Sequence, residues 1–289
     1  MNALLLGILA ALISAFAWAF STVLIRVGLQ GKSPISANIF RLYVVSLMYI
    51  AIFAISGTFG AISSLPWRLI AVAFVSAQFG FVIGDYFYFN ALKRMGVSRT
   101  VPVTSTYPLW AILWAFLFLG REIEPQIIVG AFLVVLAVVI VRKAEERENL
   151  DPKGFIFALL APVSWSVAVV TMDWLTQSID VLALAGLRMM LAALGVSVFL
   201  PRYADELRSM SLREALILTG AALFGLLIGQ YTFVYSVRTI GSQIAAPVSA
   251  INPIIASALA IVLLKESPNR RILEALILAV LGVILISTA

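Results

Sequence analysis

The sequence contains no cysteine and no histidine, and only 12% of its 289 residues are charged. Without these two residue types the chain cannot form disulfides, thiolate nucleophiles or the usual zinc, copper, haem and iron–sulfur sites. It also lacks the serine–histidine pair of intramembrane serine proteases. The shortage of charge is a further exclusion, because soluble domains carry about 25% charged residues. We therefore expect no bound cofactor, no metal and no water-soluble fold.

Long apolar runs dominate the chain instead. Hydrophobic residues make up 62% of the sequence, whereas soluble domains average about 45–50%. A helix needs about 20 apolar residues to cross a bilayer core of roughly 30 Å. Runs of about this length predict an all-α integral membrane protein with ten transmembrane helices, at residues 4–25, 35–56, 67–92, 99–119, 125–141, 154–175, 181–200, 214–237, 243–264 and 271–288.

The second half of the chain repeats the first. A shift of 147 aligns Trp18 with Trp165, and a shift of 145 aligns residues 79–108 with 224–253, with nine of thirty positions identical. Each copy has five helices, an odd number, so the second copy must enter the membrane from the opposite face. We predict two inverted five-helix repeats, the first at 1–141 and the second at 154–289, joined by a linker at 142–153.

Several matched motifs accompany this duplication. They are an arginine near the start of the second helix of each repeat (FRLYV at 40–44, LRMML at 187–191), the segment GDYFYFNALKRMG (84–96), the prolines of the fourth helices, and the acidic ends of those helices (119–122 and 264–266). With these motifs the chain resembles the ten-helix EamA-type branch of the drug/metabolite transporter superfamily over nearly its whole length. The resemblance implies a membrane transporter, and inverted repeats are typical of secondary transporters.

One carboxylate lies well inside a predicted span. Asp85 follows Gly84 in the third run, where an ionised carboxylate costs several kcal/mol unless it is paired or faces water. It is either a structural partner for an arginine or hydroxyl, or a group that couples proton entry to substrate exit. The repeat places Gln230 at the equivalent position, and this one-sided charge favours a functional role.

Prolines interrupt the fourth helix of each repeat. A proline removes a backbone donor and frees a carbonyl, which a membrane tolerates only where protein or water satisfies that group. The interruptions are either packing kinks or segments that line a central cavity. The prolines concerned are Pro102, Pro108, Pro247 and Pro253.

Aromatic, polar and basic residues within the spans are the other candidates. The two matched arginines either reach the headgroups or hold an anionic substrate group, and the matched tryptophans are packing residues or cavity walls. The candidates for substrate binding or coupling are Asp85, Tyr86, Gln230, Tyr231, Tyr107, Asn252, Trp18, Trp165, Arg41 and Arg188.

Small residues and a second carboxylate complete the pattern. The pairs Gly80/Gly84 and Gly225/Gly229 have the GxxxG spacing that allows helices to approach closely, and a close contact of the third and eighth helices could act as a rocking point. Asp173 aligns with Arg26 under the shift of 147. The two could pair, but both lie near helix ends, so we expect Asp173 to be solvated.

Basic residues are distributed very unevenly among the loops. The loops between helices 1–2, 3–4, 5–6, 7–8 and 9–10 carry 15 Lys and Arg, whereas the other four loops carry 3. The positive-inside rule then places the basic loops in the cytoplasm and both termini outside, whereas the family resemblance implies cytoplasmic termini. Either way we expect a multi-pass protein of the plasma membrane.

These observations favour a secondary active transporter that exports small polar metabolites, such as amino acids, by alternating access, with proton coupling through Asp85 as one energy source. The alternatives are an uncoupled facilitator or channel and, in another class, an intramembrane aspartyl enzyme, for which the Gly-x-Gly-Asp motif is incomplete. We expect no enzymatic activity. The expected partners are a small-molecule substrate and the lipid bilayer, not nucleic acid, with a homodimer contact through the apolar last helix of each repeat (125–141 and 271–288).

Overall fold

The computed structural model describes residues 2–28, 32–95, 100, 103–142, 151–264 and 270–288. Within these ranges the secondary structure is helical and contains no strand. Seven helices are long and apolar enough to cross a membrane, and three shorter apolar helices bring the described set to ten. The prediction of an all-α, multi-pass membrane fold is confirmed. The helices are α1 (Ala3–Gly28), α2 (Pro34–Ser56), α3 (67–95), α4 (Tyr107–Leu119), α5 (Pro125–Arg142), α6 (Pro152–Thr176), α7 (Val181–Val196), α8 (212–240), α9 (242–264) and α10 (Arg270–Ser287).

Some helix ends differ from the predicted runs. A short helix at Thr58–Ser63 connects α2 to α3, and α7 continues through a 3-10 turn into the helix Leu200–Arg208. The predicted fourth run begins at residue 99, and residues 100, 103 and 104 are helical. A turn at 105–106 separates this first part of α4 from its second part, Tyr107–Leu119. The second part has Pro108 in its first turn, a position where proline fits a helix start. Of the predicted linker, residues 143–150 lie outside the described part of the chain.

Helices α3 and α8 each contain a π-helical segment at the equivalent place. The segments are Gln78–Ile83 and Leu223–Ile228, and in each the next glycine donates its N–H to a carbonyl five residues earlier. A wider π turn leaves nearby carbonyls short of partners, and in a membrane these must be satisfied by other helices. Side chains of neighbouring helices donate to three of these carbonyls: Asn38 to Phe81 O, Trp18 to Gly225 O and Tyr49 to Leu227 O. Ser164 is a second donor to Phe79 O, which already accepts the Gly84 N–H.

The repeats interlock through two equivalent helix crossings, α1 with α8 and α6 with α3. A Cβ at Gly84 would lie 2.5 Å from Cδ1 of Trp165, and one at Gly229 would lie 2.7 Å from Cδ1 of Trp18. The glycines of α3 and α8 therefore face α6 and α1 rather than each other, which corrects the expected rocking contact between the third and eighth helices. Their lack of side chains makes room for an indole from the other repeat.

Serines bond across both crossings, and two of these bonds occupy equivalent places with the donor on non-equivalent helices. At the first crossing Ser21 Oγ donates to the carbonyl of Ala221 over 2.8 Å, and at the second Ser76 Oγ donates to the carbonyl of Ala168 over 2.8 Å. By the sequence shifts, Ser21 is equivalent to Ala168 and Ser76 to Ala221. The two bonds thus occupy equivalent places, but the donor lies on α1 at the first crossing and on α3 at the second.

Adding a methyl group at the α3–α6 crossing should destabilise the fold. In Gly84→Ala the new Cβ would also lie 2.7 Å from the carbonyl oxygen of Phe79, and backbone cannot move aside cheaply, so we expect a loss of about 1–3 kcal/mol. Gly60→Ala is the matched control, because nothing lies within 4 Å of a Cβ there. Denaturant unfolding in detergent measures both variants, and equal stabilities would show that the crossing is looser than described.

Helices α5 and α10, the last of each repeat, pack directly against each other. A Cβ at Gly130 would lie 2.6 Å from the carbonyl oxygen of Gly282, and one at Gly282 would lie 2.7 Å from that of Gly130. The close backbone approach occupies one face of each helix inside the chain. Their outer faces remain apolar and exposed, for example at Phe132 and Leu281, and the homodimer contact stays a prediction for those faces.

Candidate functional site

A cavity of about 350 Å³ lies between the two repeats. Among the described residues, its wall is drawn from α1–α4 of the first repeat and α6–α9 of the second, with none from α5 or α10. The volume is in the range of sites that hold small organic molecules. Ten of the predicted site residues lie on this wall: Trp18, Arg41, Gly80, Asp85, Tyr107, Trp165, Arg188, Gln230, Asn252 and Pro253.

The Asp85 carboxylate is held on the wall by donors from two other helices. Asn38 Nδ2 on α2 donates to Oδ2 over 3.2 Å, and Trp165 Nε1 on α6 donates to Oδ1 over 3.1 Å. The indole reaches Asp85 because Gly84 leaves space beside it. Asp85 therefore connects the two repeats while one side of it faces the cavity.

The equivalent position in the second repeat is built differently. By the sequence shifts, Gln230 is equivalent to Asp85, Ala185 to Asn38 and Trp18 to Trp165. The Trp18 indole donates to the carbonyl of Gly225 over 3.0 Å and not to a carboxylate. The cavity thus has a carboxylate on one side and an amide at the equivalent place on the other, although both positions follow equivalent π-helical segments.

The two matched arginines reach the cavity from α2 and α7. Arg188 is 3% exposed, and it donates to Ser76 Oγ over 3.1 Å and lies with its Nη1 2.9 Å from the Met172 sulfur. Arg41 lies 3.5 Å from Ser21 Oγ through Nη2. Arg188 therefore contacts a serine at the α3–α6 crossing, and Arg41 contacts a serine at the α1–α8 crossing. Neither arginine extends to the headgroups.

The breaks in α4 and α9 meet each other at the cavity. Turns at 105–106 and 250–251 precede the second part of each helix. Tyr107 donates its hydroxyl to the carbonyl of Ala246 over 3.1 Å and shares a hydrogen bond of 3.0 Å with Ser249 Oγ. The broken segments thus supply polar atoms at the repeat interface.

A partly buried ion pair joins the two repeats beyond the cavity. Asp173 on α6 is fully buried, four residues past the wall residue Val169, which corresponds to about 6 Å along the helix. Its Oδ1 lies 2.7 Å from Arg121 Nη2 of the α4–α5 loop, and its Oδ2 accepts the N–H of Ser242 over 2.8 Å. The expected solvation of Asp173 is wrong, because this cross-repeat ion pair, which we call the latch, fills both oxygens.

On the opposite face, α3 and α6 are tied together at the surface. Arg94 at the end of α3 lies 3.0 Å from the carboxylate of Asp151, which caps the start of α6. The hydrogen bond from Arg94, with help from backbone amides, lowers the pKa of Asp151 below its usual value. Because both side chains are largely solvated, this pair contributes little to stability.

Comparison with known proteins decides the family. The sequence profile of the EamA-like transporter family matches the chain twice, over residues 5–143 and 152–288. The chain belongs to the EamA-like transporter family. It is therefore a multi-pass membrane transporter of small solutes, and the resemblance to the drug/metabolite transporter superfamily is confirmed.

Individual relatives agree with this assignment. A protein of Archaeoglobus fulgidus, named an uncharacterized transporter, is 30% identical over 282 residues and covers 98% of each chain. A Bacillus anthracis protein named for sugar uptake is 25% identical over 58% of this chain and 60% of its own. One solved crystal structure shares the fold, with a TM-score of 0.82 over 96% of this chain and 95% of that chain at 19% identity. Family members and the archaeal relative are named transporters and not enzymes, so the intramembrane enzyme is set aside.

Some predicted residues of this EamA-like transporter lie away from the cavity. Tyr86 and Tyr231 are 38% and 39% exposed, because each follows a wall residue by one position, and adjacent residues on a helix point about 100° apart. Pro108 and Pro247 are buried beside the helix breaks but not on the wall. Gly84, Gly225 and Gly229 lie at the helix crossings, and Pro102 is outside the described residues.

Other wall residues were not anticipated from the sequence. Asn38, Phe81, Tyr88 and Phe233 all line the cavity, and Asn38 is one of the two donors to Asp85. The spacing of Asn38 and Arg41 could have revealed it, since residues three apart share a helix face. No equally simple signal marked the aromatic side chains, because aromatics are common throughout transmembrane segments.

Proposed function

We propose that this EamA-like transporter is a secondary active transporter that exports small polar metabolites, amino acids among them, by alternating access with proton coupling. The observation that carries the proposal is the one-sided Asp85 site in a cavity between inverted repeats. In such folds the repeats move against each other around a central site. A carboxylate that contacts both repeats and the cavity is well placed to couple a bound proton to that movement.

The latch supports a carrier rather than a channel. A channel in its conducting state needs a continuous path, whereas Asp173, Arg121 and Ser242 join the repeats beyond the cavity with a fully buried carboxylate. The latch lies on the face of the loops with 3 basic residues, which the positive-inside rule assigns to the outside. With the latch and both termini outside, the described conformation is closed toward the exterior of the plasma membrane.

Counterflow in liposomes tests the proposed function. Purified protein is reconstituted into liposomes, and the liposomes are loaded with one unlabelled amino acid at high concentration. The same amino acid in labelled form is then added outside. Each of the twenty amino acids is tested in turn. We expect a transient, saturable accumulation of label for at least one probe, absent from protein-free vesicles. Sugars are the second set of probes, because of the name of the Bacillus anthracis relative. Non-saturating flux or discrete conductance events would favour the facilitator or channel. No uptake of label with any amino acid or sugar would contradict the proposed substrate class.

A further inference from the structure

The cavity wall carries an unbalanced charge. Of the residues that the structure describes, three charged ones line it: Arg41, Asp85 and Arg188. Two cations therefore face one carboxylate. Asp85 attracts Arg41 electrostatically, but its two oxygens are bonded by Asn38 and Trp165 instead.

Arg188 is the less compensated of the two cations. Among the described residues, its polar contacts are the neutral Ser76 hydroxyl and Met172 sulfur, and its guanidinium carbon lies 5.4 Å from the centroid of the Phe81 ring. No carboxylate of the described residues lies within 4.0 Å of it. The desolvation of a buried guanidinium is expensive, so in a membrane protein it ordinarily pairs with a carboxylate or backbone carbonyls or faces a water-filled cavity.

Arg41 shows a related deficiency. Its Nε is buried and has no hydrogen-bond partner among the described residues, and its Nη2 makes one long contact of 3.5 Å to Ser21. A guanidinium carries five N–H donors in a fixed fork suited to a carboxylate. The cavity wall therefore has a guanidinium N–H donor without a hydrogen-bond partner and one more positive than negative side chain among its described residues.

We propose that Arg188, assisted by Arg41, forms an anion-binding subsite, and that the transported solute carries a free carboxylate that supplies the missing charge. This inference rests on the proposed transport function, and it narrows the substrate to organic acids and amino acids. Uncharged sugars, amides and amines without a carboxylate are excluded. The Asp85 carboxylate also lines the cavity and can pair with an ammonium group, so a zwitterion fits as well as a simple acid.

Matched sets of small molecules test the subsite. One set is L-leucine, 4-methylpentanoate and L-leucinamide; the other is L-phenylalanine, 3-phenylpropanoate and L-phenylalaninamide. Binding is followed by the thermal stability of the purified protein, since a ligand of the folded state raises it. We expect stabilisation by members with a free carboxylate and none by the amides. Equal stabilisation by the amides, or none by any of the acids, would overturn the proposal.

Variants separate recognition from packing. In Arg188→Gln the apparent affinity for the acids should fall about 10- to 100-fold, as expected for loss of a charged hydrogen bond, while the response to amides is unchanged. Arg188→Lys keeps the positive charge but not the planar guanidinium, so it should fold and show a smaller loss of affinity for the acids. Arg238→Gln is the control, because that arginine is 49% exposed and lies outside the wall. A purely structural Arg188 would lower stability without changing the preference for acids.

The outcomes also distinguish this inference from the proposed function. Counterflow of an amide at the rate of its parent amino acid would support transport and contradict the anion subsite. Carboxylate-dependent binding without counterflow of any acid would support the subsite and contradict the transport cycle.

Discussion

Replacing Asp85 by asparagine should abolish uphill transport driven by a pH gradient and leave exchange of solute intact. Asparagine has nearly the same shape but cannot bind and release a proton. Its single side-chain oxygen can accept from either Asn38 or Trp165, which donate to different oxygens of Asp85. Because the backbone and cavity are otherwise unchanged, both conformations should stay accessible. Proteoliposomes with and without a pH gradient measure the accumulation ratio, and counterflow in the same vesicles measures exchange.

Asp205→Asn serves as the control for that experiment. The side chain of Asp205 is fully exposed and its contact with Arg208 is 3.9 Å long, so its neutralisation should change neither uphill transport nor exchange. Gradient-driven accumulation that persists in the Asp85 variant would show that coupling does not pass through this carboxylate. A loss of both activities in a folded protein would assign Asp85 to solute binding instead.

Removal of the latch carboxylate should cause the largest loss of stability. In Asp173→Ala the Arg121 guanidinium and the N–H of Ser242 lose their shared partner, and breaking a buried pair in this way typically costs about 3–5 kcal/mol. We expect a value near the lower end of that range, because the Arg121 side chain is 33% exposed and can turn toward solvent. Denaturant unfolding in detergent measures the loss. The same variant should leak loaded solute from proteoliposomes, since the face beyond the cavity is no longer held closed.

The pair Asp205–Arg208 again provides a matched comparison. Both of its side chains are exposed, and exposed pairs contribute about 0–1 kcal/mol, so Asp205→Ala should unfold like the parent protein. If Asp173→Ala were as stable as Asp205→Ala and its vesicles stayed tight, the latch would have no closing role.

Much of the architecture could be predicted from the sequence because it depends on composition and repetition. Ten apolar runs fix the number of crossings, and an odd number per repeat fixes their inversion. Matched tryptophans and arginines identified wall residues of both halves, since equivalent positions in two copies of one unit occupy equivalent places around the pseudo-two-fold axis.

The remainder depends on contacts between distant residues. Nothing in the local sequence marks the π-helical segments at Gln78–Ile83 and Leu223–Ile228, which end two residues before the wall residues Asp85 and Gln230. Asp173 lies near a helix end, which favours solvation, and its burial follows from a loop and a helix start far away in sequence. Such pairings require the packed structure.

The matching π turns in α3 and α8 bear on the ancestry of the chain. The simplest explanation for the same irregularity at equivalent positions is descent from a half-length ancestor, two identical copies of which assembled in antiparallel orientation. A homodimer of that kind must present every side chain twice. A fusion of the two halves would remove that constraint, and an acid at residue 85 opposite an amide at 230 is a difference that only joined halves permit.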